Sequence, residues 1–179
     1  MKISYMFLAI LIILSQGCTY AVRYDGTYRG KVIDAETGQP MEETVVLGTW
    51  YTITPTVAGS VSKYYDARET VTDRNGEFLI SGMGLRIMSN LEPMHFLIFK
   101  PGYEYIGPMS WVSLKVDILF SKKIKWEENK PIIQLKKLTT EERKKSGTFP
   151  PYPPIEIPKE KTILMMEYIY KERKERGLD

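Results

Sequence analysis

Residues 28–50 read YRGKVIDAETGQPMEETVVLGTW, and this stretch combines two runs of β-branched and aromatic residues with a turn between them. In the turn, the side chain of Asp34 can accept hydrogen bonds from backbone amides, and Gly38 can adopt a positive φ angle. The proline that follows fixes the direction in which the chain leaves the turn. The stretch therefore predicts strands over residues 28–33 and 44–52, joined by a tight turn.

The middle of the chain continues in the same pattern. Short apolar runs broken by Gly, Pro, Asn and Asp predict further strands at residues 67–72, 77–81, 94–100 and 132–136. The stretch WVSLKVDILF, residues 111–120, alternates apolar and polar side chains and predicts a long antiparallel strand with one buried face. Residues 53–66 are too many for a tight hairpin turn, and they predict either a projecting loop or an extra hairpin.

Three segments of this region resemble the carboxypeptidase regulatory-like domain, and they occur in the family's order. The matching residues are Gly30, Asp34, Thr37, Gly38 and Pro40, then Thr72, Asp73, Gly76 and Phe78, and finally Pro101, Gly102 and Tyr103. The resemblance covers residues 28–138 and implies a mainly β fold, a seven-stranded antiparallel Ig/transthyretin-like β-sandwich. The sequence departs from the family pattern at Glu43 and Thr44, which stand where the family has Gly-Ala, and in the insertion around residues 51–66.

Residues 139–179 have a different character from the β-rich region. Thr139 and Glu142 have the spacing of a capping box, which predicts a short helix. Residues 148–158 contain five prolines, which favour an extended and semi-rigid spacer. Residues 159–179 predict a C-terminal helix with apolar positions at three- and four-residue spacings. Its apolar face fits either a partner protein or the chain's own sandwich, and the sequence leaves both open.

The N-terminus has the layout of a signal peptide over residues 1–17. Its apolar run, YMFLAILIIL, is about half of the roughly 20 residues that a membrane-spanning helix needs. Cys18 is the only cysteine, so it cannot form a disulfide within the chain. LSQGC at residues 14–18 resembles the lipobox of bacterial lipoproteins, which implies cleavage before Cys18, acylation with chains such as palmitate, and a lipidated tether over residues 18–27. The alternative is a plain signal peptide whose cleavage leaves Cys18 free.

The composition argues against an enzyme and against a nucleic-acid-binding protein. The net charge is +3, and basic and acidic residues are interspersed, whereas nucleic-acid binding needs a clustered basic face. The single histidine, His95, lies in an apolar strand and is interpreted as structural; one His and one Cys do not make a His/Cys zinc site. Asp73, Asn75 and Glu77 have a spacing that can begin a calcium loop, but turn chemistry explains them better. We therefore predict no catalytic residue, no metal and no cofactor.

Four aromatic residues beside or within the insertion are the candidate binding-loop residues. They are Trp50, Tyr51, Tyr64 and Tyr65, and exposed aromatic rings can bind sugars or partner proteins. The sequence predicts a non-catalytic, membrane-anchored envelope lipoprotein with a structural or accessory role in binding another envelope protein. The alternative is a module that binds carbohydrate or peptidoglycan. Both locate the chain in the bacterial cell envelope, and the absence of Asp at position 19, where Thr19 stands, favours the outer membrane in a Gram-negative cell.

Overall fold

The computed structural model describes residues 22–115, 123–145 and 151–178. Within them the chain is mainly β, with ten strands and two α-helices. The strands are β1 (Val22–Asp25), β2 (Tyr28–Asp34), β3 (Val45–Thr56), β4 (Gly59–Val71), β5 (Glu77–Ile80), β6 (Gly84–Ile87), β7 (His95–Phe99), β8 (Ile106–Ser110), β9 (Ile124–Glu127) and β10 (Lys130–Leu135). The helices are α1 (Thr140–Lys145) and α2 (Ile163–Glu175), and short 3₁₀ helices span Trp111–Lys115 and Lys159–Lys161.

Eight of these strands form two four-stranded sheets. The first has the order β5-β2-β10-β9 and the second has the order β4-β3-β7-β8. Neighbouring strands are antiparallel except β2 and β10, which run parallel. Strands β1 and β6 form a separate two-stranded ribbon. The described residues therefore contain ten strands and one parallel pair, where the family resemblance implies seven antiparallel strands.

One buried apolar cluster joins the two four-stranded sheets. Its members include Val32, Phe78, Ile80, Ile133 and Leu135 from the first sheet, and Val46, Trp50, Phe96, Ile98 and Ile106 from the second. Each side chain of this size stabilises the fold by about 1.5–3 kcal/mol when fully buried. The inner faces of the two sheets therefore supply the main core.

The two turns that the sequence predicts are formed by the expected carboxylates. Oδ1 of Asp34 accepts two backbone amides at 2.9 Å, and Gly38 has a φ angle of 70°. Oδ1 of Asp73 likewise accepts two backbone amides, at 2.9 and 2.8 Å. In both turns the side-chain oxygen satisfies amides that no strand neighbour reaches. The turn predictions are confirmed.

Gly76 is a position in the second turn where a side chain would collide with the backbone. Its φ angle is +71°, and a Cβ atom built there would lie 2.3 Å from the carbonyl oxygen of Val32. We expect Gly76→Ala to lower the free energy of unfolding by about 2 kcal/mol or more, because the left-handed conformation alone costs Ala about 1–2 kcal/mol. Urea unfolding measures the loss.

Gly38→Ala is the matched control for that substitution. Gly38 has nearly the same φ angle, +70°, but no atom lies within 4 Å of its built Cβ. Gly38→Ala should therefore lower the free energy of unfolding only by the cost of placing Ala in the left-handed conformation. Equal losses at the two positions would contradict the importance of the contact between the turn and β2.

The insertion forms an extra hairpin rather than a loop. Strands β3 and β4 pair along their whole length, from Val45 opposite Val71 to Thr56 opposite Gly59, with one irregularity in register after Trp50. Of the two expectations for this segment, the hairpin is confirmed.

The prediction of a long strand over residues 111–120 is wrong for residues 111–115. Trp111–Lys115 is a 3₁₀ helix, and residues 116–120 lie outside the described residues. The ring of Trp111 packs edge-on against the rings of Tyr28, Phe78 and Phe96. A 3₁₀ helix turns both Trp111 and Leu114, which are three residues apart, toward the same side. Packing of these side chains therefore outweighs the period-two pattern.

The C-terminal helix α2 packs on the chain's own second sheet. Its buried Met165 and Ile169 join a second apolar cluster with Val45, Leu47, Ala67, Leu97, Phe99 and Ile157. Glu69 of β4 accepts the amides of Leu164 and Met165 at 3.0 and 2.7 Å, which caps the start of the helix. The sequence leaves open whether the apolar face of this helix binds a partner protein or the chain's own sandwich. In the structure it packs on the second sheet of the same chain.

The short helix α1 begins as the sequence predicts. Oγ1 of Thr139 accepts the amide of Glu142 at 3.1 Å, and the Glu142 carboxylate accepts the amide of Thr139 at 2.9 Å. These reciprocal bonds are a capping box. The capping prediction is confirmed.

The predicted signal peptide, residues 1–17, and Cys18 lie outside the described residues. The segment assigned to a tether, residues 18–27, includes strand β1, which begins at Val22. Three residues therefore lie between Cys18 and the first strand that the structure describes. Over the part of the chain that the structure describes, no helix has the length and apolar character needed to cross a membrane.

Candidate binding surface

The ribbon of β1 and β6 carries its apolar side chains on the outside. Val22 lies opposite Ile87, and Tyr24 lies opposite Leu85. These four side chains, which we call the apolar ribbon face, are 61–74% exposed. The polar residues between them are less exposed, and β1 ends at the buried Asp25. A sheet with one solvated face normally shows the opposite arrangement.

Asp25 attaches this ribbon to the core. Its carboxylate accepts hydrogen bonds from Nε1 of Trp50 and the amide of Met83, both at 2.8 Å, and from the hydroxyl of Tyr28 at 2.5 Å. Arg23 lies 3.8 Å from the same carboxylate. Burial, and then the hydrogen bond to Asp25, raise the pKa of Tyr28 to about 12. The tyrosine therefore remains a hydrogen-bond donor at neutral pH.

Arginine side chains fix the segment that leads into β6. Arg68 donates to the carbonyl of Ser81 at 2.6 Å, and its guanidinium lies 5.7 Å from the centre of the Trp50 ring. The guanidinium of Arg86 lies 4.6 Å from the centre of the Tyr65 ring. Such cation–π contacts contribute about 0.5–1 kcal/mol at exposed sites and about 2 kcal/mol or more where they are desolvated. The ribbon is thus held in one orientation by polar contacts on its inner side.

The four aromatic residues predicted as a binding loop do not form one surface. Trp50 is fully buried in the core, with its indole nitrogen bonded to Asp25. Tyr51 lies opposite Tyr64 across β3 and β4, and Tyr64 packs against the cluster under α2. Tyr65 is 42% exposed and contacts Arg86. Because successive strand residues face opposite sides, these side chains are divided between the two faces of the hairpin.

His95 is half-buried at the start of β7. Its ring packs edge-on against the ring of Tyr51, at 5.4 Å between centroids, and its Nε2 lies 4.0 Å from the carboxylate of Glu92. Burial lowers the pKa of His95, and the negative charge of Glu92 offsets this only in part. The imidazole is therefore neutral at neutral pH and serves as an aromatic neighbour of Tyr51.

Two of the three candidate calcium ligands, Asp73 and Glu77, have protein partners in the structure. Oδ1 of Asp73 accepts the amides of Asn75 and Glu77, and the carboxylate of Glu77 pairs with Lys130 at 2.5 Å. Among residues 22–115, 123–145 and 151–178, no group of three or more His, Cys, Asp or Glu side chains could hold a metal ion.

An open polar groove of about 810 Å³ lies beside the 3₁₀ helix. Its lining includes Thr27, Arg29, Trp111, Glu127, Asn129 and Lys130. A second groove, of about 670 Å³, lies between residues 152–159 and α2, and it is lined by Pro153, Ile155, Ile163, Met166 and Tyr170 among others. Ile155 and Ile163 are exposed there. The docked C-terminal helix therefore still presents apolar side chains outward.

No family model matches this chain, and no curated protein matches it. Among solved structures, a streptococcal ancillary pilin is similar over 64% of this chain and 30% of the pilin, with 10% identity and a TM-score of 0.31. The chain thus spans less than a third of the length of that pilin.

The apolar ribbon face is the feature that the sequence interpretation missed. The segments VRYD at residues 22–25 and GLRI at residues 84–87 each alternate apolar and charged side chains. That alternation is the signal of a strand with two different faces. The pairing between the two segments has no local signal, because they lie far apart in the sequence.

Proposed function

We propose that this chain is a non-catalytic lipoprotein of the bacterial cell envelope, anchored through an acylated Cys18. The observation that carries the proposal is the position of this cysteine. It follows an apolar run and the lipobox-like LSQG, and only three residues lie between it and the first strand that the structure describes. An acyl chain contributes about 0.8 kcal/mol per buried CH₂, so two or more chains hold a protein on a membrane without a spanning helix.

The folded part, on this proposal, is a transthyretin-like β-sandwich of the carboxypeptidase regulatory-like type. Its support is that the three resembling segments lie against one another. The hydroxyl of Tyr103 donates to Oδ2 of Asp34 at 3.1 Å, and the amide of Val32 donates to the carbonyl of Gly76 at 2.8 Å. The shared core of the two four-stranded sheets is the second support.

The hydrogen bonds that the buried carboxylates accept support a structural or accessory role. Asp25 and Glu172 are the buried acidic residues among those described. Asp25 accepts three hydrogen bonds from protein donors, and Glu172 accepts four. A carboxylate whose lone pairs are occupied in this way holds elements together rather than exchanging protons. The accessory partner is another envelope protein, and the outer membrane is the proposed site in a Gram-negative cell.

Glycan binding has less support as a function. It requires aromatic rings that are exposed and lie in one plane, as a platform for sugar rings. Trp50 is buried, and Tyr51, Tyr64 and Tyr65 are divided between the faces of the hairpin.

The anchor is tested by the intact mass of the protein extracted from membranes, compared with Cys18→Ser. We expect the wild-type mass to fit a chain that starts at Cys18 and carries acyl groups. The variant should lack the acyl mass and leave the membrane fraction, because the acyl chains supply the affinity. A wild-type chain without acyl groups, found in the soluble fraction, would refute the proposal.

A further inference from the structure

We infer that the apolar ribbon face, together with the adjacent Met88, lies on the surface of the lipid bilayer into which Cys18 is anchored. This inference rests on the proposed acylation of Cys18. It assigns to the ribbon a role beyond anchoring, since contact between the ribbon and lipid fixes how the folded part is oriented on the membrane.

The first argument is the reversed polarity of the ribbon. Val22, Tyr24, Leu85 and Ile87 are paired across the strands and lie on the outer face, and Met88 beside them is 86% exposed. Single exposed apolar residues are ordinary on protein surfaces, but a contiguous group marks a surface that is covered in the working protein. The inner face of the ribbon is instead polar, because Arg23 and Asp25 bond to the core.

The second argument is the length of chain between the anchor and the ribbon. Four residue steps lead from Cys18 to Val22, and a fully extended chain spans at most about 3.3–3.6 Å per residue, or about 14 Å in all. The headgroup region of each leaflet is about 5–8 Å thick, which is half the difference between the whole bilayer and its hydrocarbon core. An acylated Cys18 therefore holds β1 within or directly above the headgroups.

The third argument concerns the kind of side chain presented. Tyrosine, with an apolar ring and a polar hydroxyl, is enriched at membrane interfaces. Tyr24 is the most exposed member of the apolar ribbon face, at 74%. Apolar side chains on an interfacial element bury about 5–10 Å into the boundary between headgroups and acyl chains. A lipid surface therefore fits this face better than a second protein, because the anchor itself brings lipid to it.

The experiment uses the full-length acylated protein in vesicles of phosphatidylethanolamine and phosphatidylglycerol. Tyr24→Cys introduces the only free thiol of the acylated chain, which is labelled with an environment-sensitive fluorophore. We expect doxyl groups on the acyl chains of added lipid to quench this label at least about threefold more than a label at Leu79→Cys. Iodide in the buffer should show the opposite order.

Leu79 is the matched control position, because it is an exposed Leu on β5 and lies outside the ribbon. Ile87→Cys gives a second labelled position on the ribbon. If one of the two ribbon variants does not fold, the other still measures contact with lipid. If the ribbon labels are as accessible to iodide as the Leu79 label, the inference is overturned. Labels shielded from both quenchers would also overturn it, since a protein partner or a second copy would then cover the face.

The intact mass of the same preparation distinguishes the two proposals. A chain without acyl groups on Cys18 contradicts the proposed function. An acylated chain whose ribbon labels remain in water contradicts only the lipid contact.

Discussion

Replacing Glu172 with alanine is expected to lower the free energy of unfolding by about 3–5 kcal/mol, the usual cost of removing one partner from a buried ion pair. Glu172 lies on α2 and is completely buried. Its carboxylate accepts hydrogen bonds from Arg143 of α1, from Arg176 and from the amide of Gly102. The alanine variant leaves these donors without their shared acceptor, so α1, α2 and the β7–β8 connection lose the group that joins them. Urea unfolding followed by circular dichroism measures the change.

Glu175→Ala is the matched control for that prediction. Glu175 is on the same helix and pairs with the same guanidinium, at 3.0 Å from Arg143, but its side chain is 42% exposed. Exposed ion pairs contribute about 0–1 kcal/mol. The control should therefore change the free energy of unfolding by less than about 1 kcal/mol. A loss at Glu175 that matches the loss at Glu172 would contradict the assignment of the buried carboxylate as the joining group.

The ionisation of Glu172 also predicts how the stability of the fold depends on pH. Burial acts to raise the pKa of Glu172, but hydrogen bonds from Arg143, Arg176 and the amide of Gly102 outweigh it, so the pKa lies below the ordinary value of 4.5. Because the folded pKa is the lower one, ionised Glu172 contributes its stability above the unfolded pKa, and this contribution is lost as the pH falls through the folded pKa. The stability difference between wild type and Glu172→Gln should therefore be larger at about pH 7 than at about pH 3. A difference that stays constant would count against this account.

Local chemistry explains which parts of the fold could be predicted from the sequence. The turns at Asp34 and Asp73 depend on a carboxylate and a glycine within a few residues, and the start of α1 depends on Thr139 and Glu142. Each of these signals is complete within one short segment, because side chain and amides are neighbours in the chain. All of them are present in the structure as predicted.

Contacts between distant segments explain what the sequence could not predict. The apolar pattern of residues 111–120 is that of a strand, but Trp111 lies in a 3₁₀ helix and enters an aromatic group formed by residues from three strands. Strand β1 has no partner nearby in the sequence and pairs with β6, about sixty residues away. Neither contact changes the local pattern, so the pattern alone leaves them undetermined. The candidate aromatic residues are a further example. Trp50 and Tyr65 have similar positions in the sequence pattern, but Trp50 is fully buried and Tyr65 is 42% exposed.

Asp25 is a buried carboxylate whose neighbours in the sequence are those of an ordinary exposed turn residue. The segment YDGTY suggests an exposed turn aspartate. In the fold, however, Asp25 is 3% exposed. Its oxygens accept the indole of Trp50 and the amide of Met83, and these donors come from different parts of the chain. The carboxylate therefore connects the ribbon to both the second sheet and the segment before β6.

Asp25→Ala is expected to lower the free energy of unfolding by about 3–5 kcal/mol, because three donors, two of them buried, lose their acceptor at once. The loss should also release the ribbon from the core and shift the tryptophan emission, because Trp50, one of three tryptophans in the chain, donates its indole N–H directly to Asp25. Urea unfolding and the tryptophan emission maximum are measured on the same samples. Hydrogen exchange at the amides of β1 and β6 shows whether the ribbon opens before the two sheets do.

Asp25→Asn separates the geometry of this contact from its charge. The carbamoyl oxygen can take the position of Oδ2 and still accept from Trp50 and Met83. Its NH₂ group then meets the hydroxyl oxygen of Tyr28, which already accepts the amide of Met94 at 3.1 Å, so the bond between residue 25 and this hydroxyl becomes weaker. The loss should therefore be smaller than for alanine, about 1–2 kcal/mol, as expected when one charge-assisted bond is weakened. If asparagine destabilised the protein as much as alanine, the negative charge beside Arg23, rather than the set of accepted hydrogen bonds, would be what holds the ribbon to the core.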